Sequence, residues 1–275
     1  MTAILLFGFL LLGLSLYDLI ITVIAPKGAG PLTDRICRFI SRLGKSLSIS
    51  TGWLCLLTVV TAWVLLLWIG WGLLFLSDPN SVVNSQTGVR TDVAEKAYFV
   101  GYCLSTLGLG DYTPTSDIWR LATNFVSFSG LGTITLAITY IIPVLSAATE
   151  KRQLADLLHD LFSTPLAESD KDRLLDRLDN TIWPHLNLHT ERHLAYPILH
   201  NFSAETKDKS LAMALLKMHG ALRTLPRAPE QHILSALDRF LATIEQDFVA
   251  IAEPNGETPE EIREAKLQAF VDDWR

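Results

Sequence analysis

The sequence predicts an all-α membrane protein in two parts: three transmembrane helices with a short re-entrant helix and loop before the third, then a cytoplasmic all-α domain. Three observations predict it. Of 275 residues, 49% are hydrophobic and only 19% charged, whereas a soluble domain carries about 25% charged residues. The charge also divides at Glu150: residues 1–150 hold 8 of the 23 Lys+Arg and 8 of the 29 Asp+Glu, leaving 15 and 21 for the remainder, and all seven histidines follow residue 150. Finally, the first half contains three apolar runs long enough to cross a bilayer as helices of about 20 residues. Disorder, collagen and secreted disulfide scaffolds are excluded by this composition. Cys37, Cys55 and Cys103 are odd in number and lack metal or redox spacing, so they are expected as reduced packing residues. No basic stripe supports nucleic-acid binding.

The first unit, residues 1–26, contains the run from Ala3 to Ala25, whose one ionisable residue is Asp18. An acid inside a span invites a functional reading, but its place near the cytoplasmic end favours a carboxylate that reaches the interface or pairs with an arginine. The segment MTAILLF has no positive n-region, which argues against a cleaved signal peptide. Residues 27–50 form a basic connection, where Ile36, Phe39, Ile40, Leu43 and Leu47 recur at helical spacing and Arg35, Arg38, Arg42 and Lys45 fill the other face. Such a helix suits the inner headgroup layer, with anionic lipid as partner of those four cations. For a multi-pass protein of the cell membrane, the positive-inside rule then places this connection and the C-terminal half in the cytoplasm, and the N-terminus and residues 77–118 outside.

Residues 51–149 hold the second and third spans, Gly52–Leu76 and Leu121–Thr149, neither carrying a charge. Between them Ala94–Leu104 is apolar but too short to cross, so it reads as a re-entrant helix. It ends in Ser105-Thr106-Leu107-Gly108-Leu109-Gly110-Asp111. Glycines at 108 and 110 permit positive φ, and an extended backbone with its carbonyls turned one way replaces the hydration shell of a cation. The carbonyls of Thr106, Leu107, Gly108 and Leu109, with the Thr106 hydroxyl, would form that ladder. One loop supplies one side of each oxygen ring, so several copies must surround an axis, most simply as a homotetramer.

The segment TLGLGD resembles the selectivity filter of the potassium channel superfamily, with its Leu form similar to the second pore loop of two-pore-domain channels. The resemblance covers about residues 50–148. It implies that Thr106, Leu107, Gly108, Leu109 and Gly110 are potassium ligands and that Asp111 ties the filter mouth to the pore helix. It also implies that Gly130, 22 residues after Gly108, is the inner-helix hinge, with Gly132 as a near alternative. Leu131, Ile134, Ile138 and Ile142 fall at helical spacing on the face that the resemblance turns inward, as an apolar gate, and Pro143 should kink the helix there. Leu109 departs from the usual Tyr or Phe, leaving selectivity over sodium less supported than conduction. Tyr102 stands where some relatives carry Glu, which leaves Tyr98 or Tyr102 as a hydrogen-bond partner of Asp111.

No span carries the repeated arginines of a voltage sensor, and no glycine-rich dinucleotide loop follows a strand in the C-terminal half. Residues 150–275 instead read as amphipathic helices near 150–163, 169–183, 204–224 and 229–252. The last of these places Ile233, Leu234, Leu237, Phe240, Leu241, Ile244, Phe248 and Ile251 on one face after Pro229, and Thr258-Pro259-Glu260-Glu261 caps a final helix running to Trp274. His185, His189 and His193 recur every fourth residue, which suits a divalent metal or a charge switch near pH 6.5. Exposed or capping histidines are the plainer alternative. The function expected is passive potassium conduction, without organic cofactor or enzyme chemistry, against a weakly selective cation channel or a non-conducting membrane scaffold.

Overall fold

A computed structural model describes residues 2–25, 29–47, 51–162, 174, 176–223, 231–247 and 258–273, with the side chains of 45–47, 231 and 245–247 outside the description. It is helical almost throughout, with three helices long and apolar enough to cross a membrane. The described residues fall into two compact units, one made of those up to Ala25 with 29–36 and 56–142, the other of those in 37–55 and from Pro143 onward.

In the first unit α1 (Thr2–Ile24) lies against α3 (Gly52–Leu76). Two glycines allow this approach: a Cβ on Gly8 would fall 2.3 Å from Leu74 Cδ1, and one on Gly70 would fall 2.9 Å from Leu12. Small residues are the usual means of close helix contact in lipid, where apolar burial alone supplies no attraction between helices. Asp18 neither reaches the interface nor pairs with an arginine, contrary to the expectation from its position. It is fully buried and accepts hydrogen bonds from Trp63 Nε1 at 2.8 Å, the Leu32 amide at 2.7 Å, the Thr33 hydroxyl at 2.6 Å and the Thr33 amide at 3.2 Å. The physical reason is the start of α2 (Pro31–Leu47), whose first-turn amides lack intrahelical partners and sit at the positive end of the helix dipole. Asp18 therefore caps a helix other than its own. Gly30 makes room for it, since a Cβ there would lie 2.2 Å from Asp18 Oδ1.

A two-stranded sheet that the periodicity does not announce follows α3. Strand β1 (Val82–Asn84) pairs antiparallel with β2 (Tyr112–Pro114), Val83 opposite Thr113. A tight turn after β1, set by Asn84, whose side chain accepts from the Gln86 and Thr87 amides, and by Gly88 at φ +67°, returns the chain so that Arg90 bridges to Val83. Between the strands lies α4 (Val93–Leu104), the short helix expected from Ala94. The third span belongs to α5 (Asp117–Phe162), one continuous helix of 46 residues that passes through Pro143 and absorbs the helix expected separately at 150–163. At about 1.5 Å per residue it measures roughly 69 Å, more than twice the hydrocarbon thickness. The two compact units part at Ile142 and Pro143.

In the second unit a π-helical turn, Leu178–Ile182, leads into α6 (Trp183–Ala195), followed by α7 (Leu211–Leu222), α8 (Gln231–Asp247) and α9 (Pro259–Asp272). Leu158, Leu186, Leu215, Met218, Leu237, Phe240 and Leu267 form one core with the last turns of α5. The helix expected over 204–224 starts only at Leu211, because Ser210 accepts from the Met213 amide as N-cap and Lys207–Lys209 makes a 3-10 turn before it. The capping box at Thr258 and Glu261 is present as the sequence predicts. Arg263, nearly buried, forms a two-pronged ion pair with Asp238 at 2.6 and 2.8 Å, linking α9 to α8. Lys27, Pro229, Phe248, Ile251, Trp274 and the start of the helix expected at 169–183 lie outside the described residues, as do the side chains of Lys45 and Leu47. Cys37, Cys55 and Cys103 are free and buried.

Candidate functional site

The loop from Ser105 to Asp111 is positioned by α4, and α4 is fixed at both ends. At its start Asp92 accepts from the Glu95 amide at 2.8 Å while Glu95 accepts from the Asp92 amide at 2.8 Å, a reciprocal capping box. Lys96, almost fully buried, donates to the carbonyls of Phe75 at 3.1 Å and Asp78 at 2.6 Å, holding this end to the close of α3. Trp68 Nε1 donates to the Ala97 carbonyl at 2.9 Å. At the far end the amides of Thr106 and Leu107 donate to the carbonyls of Cys103 and Tyr102, at 3.0 and 2.8 Å, and Ser127 of α5 donates to the Cys103 carbonyl at 2.9 Å. These bonds tie the root of the loop to the last turn of α4 and to α5.

The backbone of the loop has a pattern. Thr106, Gly108 and Gly110 have φ of +59°, +59° and +80°, while Leu107 and Leu109 between them do not enter the positive region. Alternating left- and right-handed residues turn successive amides to one side and successive carbonyls to the other. Nothing lies within 4 Å of a Cβ built on Gly108 or Gly110, so conformation rather than space calls for glycine there. Thr106 takes the same conformation with a side chain, at a cost of about 1–2 kcal/mol, which the fixed root of the loop sustains. Leu107 and Leu109 are exposed.

Behind the loop stands an aromatic bracket. Tyr98 meets Tyr102 and Tyr112 edge-on, with ring centroids 5.3 and 6.0 Å apart. Tyr102 Oη donates not to Asp111 but to the Tyr112 carbonyl at 2.8 Å, and Tyr112 Oη donates to Glu95 at 3.0 Å. The Asp111 carbonyl accepts from the Ser85 amide at 2.9 Å. The roles of Glu95 and Tyr112 were not legible in the sequence, because a capping glutamate and a tyrosine after an aspartate are each common and only the fold brings them together.

The other sequence-derived positions separate. Gly130 presses on the end of α4, where a Cβ would fall 1.9 Å from the Leu104 carbonyl oxygen, whereas nothing lies within 4 Å of Gly132. The helix is unbroken at both, so a close contact explains Gly130 without any hinge. Leu131, Ile134, Ile138 and Ile142 share one exposed face of α5, with Pro143 next in the chain. Arg35, Arg38 and Arg42 are exposed on α2 with Phe39 and Leu43.

The histidine row does not make a metal site. His185 is exposed while His189 and His193 are buried, and no group of three metal-ligating side chains converges among the described residues. Burial pushes the His189 imidazole down to about 3, helped by the positive Lys151 and Arg192, and holds His193 well below the ordinary histidine range. Both are therefore neutral packing groups around Phe240.

Comparison with known proteins agrees with this geometry. A family model described as "Ion channel" matches residues 48–147, which include the loop and its supporting helices. The chain is 32% identical over 284 residues to the uncharacterized membrane protein YdjJ of Bacillus subtilis (strain 168), covering 95% of this chain and 83% of that one. No solved structure matches it. The chain thus belongs to the same family as the Bacillus membrane protein along nearly all of its length, and within it residues 48–147 are similar to the ion channel family.

Proposed function

We propose that the chain assembles as a homotetramer in the cell membrane and conducts potassium passively through a pore lined by four copies of the loop from Thr106 to Gly110. The observation that carries this reading is the alternation of positive φ at Thr106, Gly108 and Gly110. It aims consecutive carbonyls one way, and a ring of such carbonyls substitutes for the water around a bare cation. One chain supplies one quarter of each ring. The Thr106 hydroxyl, the carbonyls of Thr106 through Leu109 and the Gly110 backbone are the proposed potassium ligands, and Tyr98 and Asp111 brace the mouth. The bracket of Tyr98, Tyr102 and Tyr112 stands in for an aromatic at position 109. Ile134, Ile138 and Ile142, exposed together on α5, form the apolar gate, with Pro143 marking where the compact units part. The basic connection faces the cytoplasm and meets anionic lipid through Arg35, Arg38 and Arg42, which places the C-terminal helices inside the cell and the N-terminus outside.

The test is the reversal potential of the purified protein in a planar bilayer with potassium on one side and sodium on the other. A value near the potassium equilibrium potential is expected. Clear currents reversing near zero would retain the pore and replace potassium selectivity by weak cation selectivity, the reading that Leu109 favours. Silence in the presence of folded tetramer would leave a non-conducting scaffold.

A further inference from the structure

The second unit contains a cavity of about 360 Å³ beside the stretch of α5 where the apolar span gives way to charge. From Leu121 to Thr149 the helix carries no charged residue, and Glu150, Lys151 and Arg152 follow at once. Leu145 and Ala148 of the apolar stretch and Phe202 form the greasy side of the cavity, while Lys151, Arg152 and Lys209 form its polar side. Among the described residues no acidic one lines it. This is notable in the half of the chain that holds 21 acidic against 15 basic residues.

The acids near these cations have other partners, including Asp273, which lines a smaller adjoining cavity with Lys151. Glu150, adjacent in sequence, pairs with Arg192 at 2.6 Å. Asp272 and Asp273 pair with Lys207 and His200 at 3.2 and 2.9 Å. Lys151 donates only to the carbonyls of Leu199 and Phe202, at 3.0 and 2.9 Å, which orients its ammonium without neutralising it. Its third proton has no acceptor among the described residues, and Arg152 and Lys209 have no acidic partner among them. Lys151 is half-buried, and such a cation ordinarily carries a counter-charge. Here the wall also includes Leu211, the first residue of α7, so the N-terminus of a 12-residue helix, whose Met213 amide is already taken by Ser210, opens beside the cavity.

We propose that this cavity binds a phosphate group, with Lys151, Arg152 and Lys209 as its counter-charges and the α7 N-terminus as a further donor. The phosphate is that of an anionic lipid headgroup. Three features favour the lipid over a soluble phosphate: the volume exceeds that of a bare phosphate, one side is apolar, and the site straddles the point where α5 leaves its apolar run. Basic pockets at this depth are the kind that take headgroups. The proposal is independent of whether the loop conducts, and concerns a different surface from the exposed arginines of α2.

The experiment uses full-length protein in zwitterionic detergent and measures saturable binding by native mass spectrometry, with thermal melting in parallel. The probes are dioctanoyl phosphatidic acid, dioctanoyl phosphatidylcholine and glycerol 3-phosphate. Phosphatidic acid is expected to bind and to raise the melting temperature, with affinity at least tenfold weaker in Arg152→Gln/Lys209→Gln and unchanged in Arg35→Gln/Arg42→Gln. Both cavity substitutions are at exposed side chains, so the variant keeps its fold. Equal protection by glycerol 3-phosphate would assign the same site to a soluble phosphate ester. Equal binding of phosphatidylcholine, unchanged binding in the cavity variant, or loss only in the α2 variant would overturn the proposal.

Discussion

Asp18 and His189 are both ionisable and both almost fully buried, and they differ in what surrounds them. Asp18, inside a span, has donors from Trp63, Leu32 and Thr33 converging on its two oxygens. His189, in the helical core of the second unit, has no partner for either ring nitrogen among the described residues. A carboxylate in an apolar surrounding is tolerated when charge-assisted hydrogen bonds replace water. An imidazole has another course, since it sheds its proton and becomes a modestly polar ring. The first unit therefore holds a carboxyl group by surrounding it with donors, while the helical domain holds a base by discharging it.

The most damaging way to break this contrast is Asp18→Ala. It strands the Trp63 indole, the Leu32 and Thr33 amides and the Thr33 hydroxyl without an acceptor, and each orphaned donor costs about 1–3 kcal/mol. A total loss on the order of 3 kcal/mol or more is expected, read as a fall in the yield of folded protein and in its melting temperature in detergent. Asp18→Asn, which keeps one acceptor oxygen, should lose about half as much. A melting temperature for Asp18→Ala within a degree of the parent would show that the cap contributes nothing.

His189→Leu sharpens the other side. The folded imidazole titrates at about 3 and the unfolded one near 6.5, so below pH 6.5 the unfolded chain binds the extra proton. Stability is then complete above pH 6.5 and declines as pH falls toward 3, at up to about 1.4 kcal/mol per pH unit for each such histidine. Lys151, Arg192, His193 and His200 face this cluster, the last paired with Asp273. Removing the imidazole should leave melting at pH 7.5 nearly unchanged and raise stability at pH 5 by about 2 kcal/mol, with His193 retaining the remaining slope. Equal pH slopes in parent and variant would show that His189 already carries its proton when folded.

What the sequence revealed follows the same physics. Spans, the short helix and the final capping box rest on periodicity and local capping, and each appears where the residues put it, from Val93 to Leu104 and from Thr258 onward. The loop was legible because Gly108 and Gly110 announce their conformation. Thr106 at φ +59° was not, since threonine ordinarily avoids that region. Asp18 was misread because its partners lie 14, 15 and 45 residues away. Charge near a helix end suggested an arginine, and only the packing of α1 on α2 and α3 supplied four donors. A helix boundary was expected near residue 150 where there is none, for the opposite reason: composition changes there while the backbone does not, since Pro143 breaks one hydrogen bond and α5 continues to Phe162.

The smallest change in stability is expected at Gly108→Ala. A Cβ there meets nothing within 4 Å, so the cost is the left-handed conformation alone, about 1–2 kcal/mol if the residue keeps φ at +59° and less if the loop relaxes. Melting should shift by only a few degrees. Relaxation, however, returns φ to negative values and rotates one carbonyl out of line, and in the proposed tetramer that defect would repeat around one oxygen ring. Currents in a potassium gradient should therefore disappear while the protein stays folded. The opposite substitution, Thr106→Gly, releases the strain and keeps the backbone alternation, so it should stabilise slightly and leave conduction reduced only by the missing hydroxyl. Were Gly108→Ala to conduct like the parent, carbonyl alignment would not be what the loop provides, and its alternating φ would be no more than a way of turning the chain.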